Sequence, residues 1–149
     1  MFPFRSFPVL TDGEIDLVVA KTCPPTPENG MIPSYACKLT THTDKITVGD
    51  LTLRVAPGEQ LPEDGNLSVF IKMDYRGNGY AAKACGLVKK IAAAHRMERL
   101  DLHCSPGNMA ARQTCEKIGA QLAGVIDLPE DSAAYRRGER QRCIYRWYL

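Results

Sequence analysis

Near residue 75 the hydropathy pattern of this chain changes its repeat, and that change limits the folds open to it. Before it, Leu67, Val69, Ile71 and Met73 in "NLSVFIKM" fall on one side of a two-residue repeat, as in a strand with one face in a core. After it, Ala84, Leu87, Val88 and Ile91 recur at three- and four-residue intervals between Tyr80 and His95, the spacing of one helix face. Three further runs before the change read as strands: residues 14–21, 34–40 and 45–55, the last with a break expected near Gly49. The proline-rich "TCPPTPENG" separates the first two. After the helix come a short strand "RLDLHC" (99–104), a second helix over 109–118 capped by Asn108 and ended by Gly119, and the strand "AQLAGVIDL". A proline-started helical turn or loop, "PEDSAAYRRGER", and a terminal strand "RCIYRWYL" follow. That order predicts an α/β fold, with a sheet antiparallel at first and a parallel element built by strand–helix–strand crossovers.

At 149 residues the chain is expected to form one domain, residues 1–149, with a single core. A net charge of +2 with 24% charged residues does not point to nucleic acid. Only the tail "YRRGERQRCIYRWYL", with five arginines and four aromatic residues, offers a basic patch. Those arginines are expected on a loop and an outer sheet face, with Ile144 and the aromatics packed inward. No apolar run is long enough to span a bilayer, and the first residues lack the pattern of an export signal. Cys23, Cys37, Cys85, Cys104, Cys115 and Cys143 show no zinc-like spacing, and the three histidines do not group with them. Free thiols, no metal site and a cytoplasmic location are therefore expected.

The change of repeat coincides with "MDYRGNGYAAKACG". Glycines at a helix start leave backbone N–H groups uncovered, and such groups attract an anion. Gly77 and Gly79 could simply shape a turn, with Asn78 at positive φ. "GNGYAA" also fits a dinucleotide fingerprint, but here several strands precede it and no second unit follows. No Gly-Lys-Ser/Thr closes the stretch, so a Walker loop is excluded. A third reading takes in Arg76, Gly77, Asn78, Gly79, Tyr80 and Ala81. The amides from Asn78 to Ala81 would converge on a diphosphate, with Arg76 flanking it and the small Ala81 allowing close approach.

"RGNGYA" resembles the acyl-coenzyme-A pyrophosphate loop of the GNAT superfamily of acyl-coenzyme-A-dependent N-acetyltransferases. The resemblance runs on through "YAAKACGLVKKIAAAH", "RLDLHC" and "NMAARQTCEKIGA", where Asn108, Ala111 and Gly119 match the family pattern, and covers residues 66–122. Within the superfamily the chain is loosely similar to the branch that acetylates protein amino termini. The resemblance implies a mixed sheet of about six or seven strands. Its N-terminal half would be antiparallel, its central parallel pair would splay apart, and two main helices would flank it. It also implies acetyl-coenzyme A as acyl donor, gripped by Met73, Arg76, Gly77, Asn78, Gly79, Tyr80, Ala81 and Asn108, with the Met73 N–H as a donor to the developing oxyanion. The reaction implied is direct acetyl transfer to a primary amine of a small molecule or peptide.

The amine must lose a proton, which calls for a base or a water chain. His103 and Asp101 are the leading candidates, with Asp74 and Glu59 behind them; His103 suits work near neutrality. Cys115 stands where many relatives carry a tyrosine that protonates the leaving sulfur, and packing is the role expected for it. Cys104 has no evident activating partner, so direct transfer is favoured over a covalent route. "TCPPTPENGMIP" is too short and proline-rich for the two helices that usually form the acceptor wall. The alternative reading is a non-catalytic acyl-coenzyme-A-binding sensor or structural module. The apolar terminal strand suggests a homodimer.

Overall fold

The computed structural model describes residues 2–56 and 64–149. Five strands form one antiparallel sheet in chain order: β1 (Leu10–Thr11), β2 (Ile15–Cys23), β3 (Ser34–Thr41), β4 (Thr47–Arg54) and β5 (Leu67–Ile71). Helix α1 (Tyr80–Ala94) follows, then β6 (Arg99–Cys104), α2 (Met109–Lys117), β7 (Gln121–Asp127), the single turn α3 (Ala133–Arg136) and β8 (Gln141–Tyr148). The last three strands form a second antiparallel sheet in the order β6-β8-β7.

Alternation explains the first sheet. Tyr35, Cys37 and Leu39 on β3 and Val48, Leu51 and Leu53 on β4 are buried, and Leu39 faces Gly49 across the ladder. β4 is unbroken at Gly49, contrary to the expected break. The glycine is needed because β5 passes so close that a Cβ there would run into the carbonyl oxygen of Phe70. The ladder does shift register beside this glycine: Leu39 and Thr40, consecutive on β3, face Gly49 and Thr47, which leaves Val48 of β4 as the extra, bulged residue. α1 covers this sheet with Ala84, Cys85, Leu87, Val88, Ile91 and Ala92. At its far end, His95 Nε2 shares a 2.6 Å hydrogen bond with the Tyr35 hydroxyl. The rings of Phe2, Phe4 and Phe7 close over that pair.

One internal charge cluster pins the sheet's front edge. Asp16 is buried, with His42 Nδ1 at 2.7 Å and Lys45 Nζ at 2.6 Å from its carboxylate. Burial works to raise its pKa, but hydrogen bonds from Lys45, Thr11 and His42 outweigh burial and hold it at about 2.

The two sheets meet at β5 and β6, the strands expected to splay apart. Among the described residues they share one isolated bridge, Gly65 with Leu102. Asn66 clamps that point: its N–H donates to the Asp101 carbonyl (2.7 Å) and its side-chain oxygen accepts from the Asp101 N–H (2.9 Å). Every strand pair in the two sheets is antiparallel.

β8 corrects the expected direction of Ile144 and limits how the expected homodimer could form. It lies between β6 and β7, so both of its edges are hydrogen-bonded and neither is open to a second subunit; the sheet's outer edge is β7. Cys143, Tyr145 and Trp147 point into the core, whereas Ile144 alternates to the opposite face and pairs with His103. The tail's cations are engaged: Arg142 with Asp64 and Glu139, and Arg140 over the Tyr135 ring. Between β2 and β3 the chain makes only a 3-10 turn, Pro27–Asn29, capped reciprocally by Thr26 and Asn29. The shortened front expected from "TCPPTPENGMIP" is thus present. No described helix is long and apolar enough to cross a membrane.

Candidate active site

Where a ladder would otherwise join β5 to β6 there is a cleft of about 370 Å³. Leu67, Ser68 and Val69 form one wall and Leu102, His103 and Cys104 the other. Helix residues Ala81, Cys85, Ala111, Thr114 and Cys115 form one end, and Arg54, Asp64, Glu139 and Arg142 the other. Strand alternation makes the gap two-sided. Leu102 and Cys104 pair with Tyr145 and Cys143 on the core face, while His103 pairs with Ile144 on the opposite face.

The glycine stretch sits where the expectation places it, at the helix end of this gap. Gly77 and Gly79 adopt positive φ (88° and 74°), and Gly79 is the N-cap of α1 with no side chain capping the helix. Asn78 does not take positive φ; its side-chain amide instead donates to the Tyr75 carbonyl (3.0 Å). None of the backbone N–H groups from Asn78 to Ala81 donates to a protein acceptor among the hydrogen bonds of the described residues. A row of unshared donors is left at the positive end of a fifteen-residue helix, a place that favours an anion. Lys117, at the end of α2, brings its ammonium to 3.1 Å from where a Cβ on Gly79 would stand. Spacing did not single out Lys117, because the contact depends on how α2 lies against α1.

The remaining expected residues divide. Arg76 flanks the loop, with Nε donating to the Ile71 carbonyl (2.9 Å) and its guanidinium over the Phe70 ring. Ala81 and Asn108 line the cleft, and Asn108 also caps α2 by accepting from the Ala111 N–H (3.1 Å). The Tyr80 ring packs against the core, which leaves its backbone as the part facing the loop. Met73 is misplaced by the strand reading. β5 ends at Ile71, and Met73 begins a 3-10 turn with its side chain 77% exposed. Lys72 N–H donates to Val48 on β4 (2.8 Å), so alternation turns the amides of Val69 and Ile71 toward β6 and the gap.

Of the candidate bases, His103 lines the cleft. Asp101 does not: it is fully buried, and its carboxylate lies 3.4 Å from Arg99 Nε and 3.9 Å from Arg146 Nε. It sits on β6 beside the Asn66 clamp, and neither carboxylate oxygen has a hydrogen-bond partner among the described residues. Asp74 is exposed in the turn after β5, away from the cleft lining, and Glu59 lies outside the described residues. Glu139 went unseen in the sequence. Its carboxylate accepts from Ser105 Oγ (2.9 Å) and pairs with Arg142 Nη2 (3.4 Å), while Arg142 Nη1 holds Asp64 at 2.9 Å. These residues come from loops and a strand far apart in the chain, so no local motif could announce them.

Cys115 is buried at the helix end, where burial, reinforced by its neighbours Cys104, Glu116 and Cys143, pushes its thiol up to about 12. That makes it a packing residue and a poor proton donor. All six cysteines are free thiols. No group of three or more His, Cys, Asp or Glu among the described residues is placed to hold a metal.

The cleft fits an extended chain ending in a diphosphate. Its walls are two strands with unshared edges, and its helix end carries free amides, positive-φ glycines and a lysine. Comparison with known proteins agrees with this geometry. No curated protein sequence matches the chain. Among solved structures, a GNAT-family acetyltransferase from Bacillus anthracis aligns with a TM-score of 0.62 at 20% identity over 76% of this chain and 65% of that one. The Salmonella typhimurium acetyltransferase that modifies the N-terminal serine of ribosomal protein L7/L12 gives 0.63 at 13% identity, over 78% and 64%. RimJ of Mycobacterium smegmatis, in complex with CoA-disulfide, gives 0.61 at 17% identity, over 78% and 53%. The chain therefore spans less than two thirds of the length of these neighbours. The family model described as an acetyltransferase (GNAT) domain matches residues 9–121, and with that span the chain belongs to the GNAT acetyltransferase family.

Proposed function

We propose that this protein transfers an acetyl group from acetyl-coenzyme A to a primary amine of a small molecule or peptide. The observation that carries this reading is the run of undonated amides from Asn78 to Ala81 at the start of α1, whose Ala81 lines the gap between β5 and β6. Those amides, with Lys117 and Arg76, would hold the diphosphate, and Asn108 and the edges of β5 and β6 the extended arm. When bound, the donor supplies an activated thioester carbonyl. The Val69 N–H, aimed into the gap, takes the oxyanion-donor part first given to Met73. His103, which lines the cleft on the opposite face of β6, would accept the amine's proton, directly or through water. Asp64 and Glu139 at the same end provide carboxylates for an incoming ammonium group. A peptide amine is supported by the likeness in fold to enzymes that act on protein N-termini.

The second reading, a module that binds the acyl donor without turnover, draws on one observation: the helix end offers a buried Cys115 with a raised pKa and no better acid for the departing sulfur. Assay of thiol release from acetyl-coenzyme A, with amines and N-terminal peptides as acceptors, separates the two. Acceptor-dependent thiol release is expected. Tight binding of the donor with no release across a broad acceptor set would overturn the transferase reading in favour of the module, and absence of binding would overturn both.

A further inference from the structure

Two cysteines that the transfer reaction does not use lie in direct register across the second sheet. Cys104, the last residue of β6, directly faces Cys143 on β8. Directly opposed residues of an antiparallel pair have Cα atoms about 4.5 or 5.5 Å apart, inside the range of roughly 4.4–6.8 Å that a disulfide spans. Their exposures differ in a useful way. Cys104 is half-buried and lines the cleft, whereas Cys143 is fully buried behind it. A small disulfide that enters the cleft therefore meets Cys104 first, and Cys143 stands directly behind the sulfur it would modify.

We propose that Cys104 and Cys143 form an attacking and resolving thiol pair that clears small-thiol adducts from the cleft by closing into a disulfide. In the first step the Cys104 thiolate attacks one sulfur of a small disulfide such as oxidised glutathione. The Cys104–S–S–glutathione bond forms, the original S–S bond breaks, and one glutathione thiolate leaves. In the second step the Cys143 thiolate attacks the Cys104 sulfur and expels the second glutathione thiolate. Two cysteine thiols are oxidised to one disulfide and one glutathione disulfide is reduced to two thiols; the two cysteine protons pass through solvent to the departing thiolates. The mixed disulfide would obstruct the gap, and the closed form draws the sulfur back against β8.

Burial pushes the Cys104 thiol up, so exchange is expected to be slow at neutrality and faster in alkali. The competing buried thiols are Cys37, Cys85 and Cys115; burial holds each at about 12, so none of them supplies much thiolate at the same pH.

The test is to incubate the whole protein with oxidised glutathione at about pH 8.5, near an ordinary thiol pKa, then to take intact mass and peptide maps. The wild type is expected to lose two hydrogens, to carry a Cys104–Cys143 link and to show little lasting adduct. Cys143→Ser should instead accumulate one glutathione on Cys104, at least tenfold above the wild type at the same time. Cys104→Ser should show neither the link nor an adduct on Cys143. The proposal is overturned if the wild type retains the Cys104 adduct as fully as Cys143→Ser does. A link in the wild type joining other cysteines, or a Cys104 that stays unmodified throughout, overturns it too. The wild-type map decides the point even where a variant fails to fold.

Discussion

The junction of β3 with β4 and the junction of β5 with β6 are built from the same materials with opposite results. Along β3 and β4 the register runs from Ser34–Arg54 to Thr40–Thr47, and the side chains beneath it, Tyr35, Leu39, Val48 and Leu51, are sealed from solvent. Between β5 and β6 the ladder stops after Gly65–Leu102, and the strands diverge around a cleft. In the first region backbone groups are spent on each other, so a lesion there acts on stability. In the second they are left over, so a lesion there acts on binding. Unpaired strand edges are a liability on a surface, but within a gap flanked by two helices they are the groups that the proposed donor arm would use.

This contrast can be attacked from both sides. The largest effect is expected at Leu51→Ala, in the sealed region, which should cost about 2–5 kcal/mol of stability by urea denaturation while leaving donor affinity of the folded fraction unchanged. An affinity loss in that variant would mean the two regions are not separable. His103→Ala should slow turnover by about a hundredfold near neutrality. The deficit should shrink as the pH rises toward the acceptor amine's own pKa, where the free amine needs no base. A pH–rate profile of unchanged shape removes His103 from the role.

Gly79→Ala comes next. The positive φ should cost roughly 1–2 kcal/mol, and the new Cβ crowds the Lys117 ammonium. Donor affinity by calorimetric titration should fall about tenfold, an effect well beyond that on the melting curve's cooperativity. Arg76→Glu should weaken the donor several-fold with the melting temperature nearly unaltered, since the side chain is exposed and holds only the Ile71 carbonyl and the Phe70 ring. Affinity within error of the wild type would place Arg76 away from the phosphates.

The last effect concerns acid and is confined to low pH. Asp16 has a folded pKa depressed to about 2 against about 3.9 unfolded. Its contribution is therefore fully present above pH 4 or so and is lost as the pH falls through about 2. Asp16→Asn should flatten that limb of the acid-denaturation curve; a limb of unchanged steepness would assign the acid sensitivity to other carboxylates.

Much of the fold could be read from local pattern. β6 was placed to the residue, and α1 and α2 to within one residue at their ends, because apolar spacing, Asn108 and the terminal Gly119 are local signals. Errors arose where a neighbour decided. Met73 continues the alternation of β5 but lies beyond its last pairing residue. Gly49 looks like a strand breaker until the passage of Phe70 over it is known. Ile144 is as apolar as its neighbours, yet the register of β8 turns it away from the core.

The site divides in the same manner. The amide cradle was legible because it is made by consecutive residues, Arg76 to Ala81, whose glycines and small side chains are needed for backbone reasons that operate wherever the loop sits. Lys117, Val69, Glu139 and the facing pair Cys104–Cys143 were not legible. The burial of Asp101 outside the cleft lining was not legible either, because two-residue periodicity says that it shares a face with His103 but not that Asn66, Arg99 and Arg146 stand beside it. The order of amino acids thus determined, through short-range sterics and hydrogen bonding, the elements and the glycine turn that leaves its amides undonated. Which strand edges stay unpaired, and which distant side chains meet across them, followed only from the packing of two sheets about one bridge, since such contacts form between residues that no local rule connects.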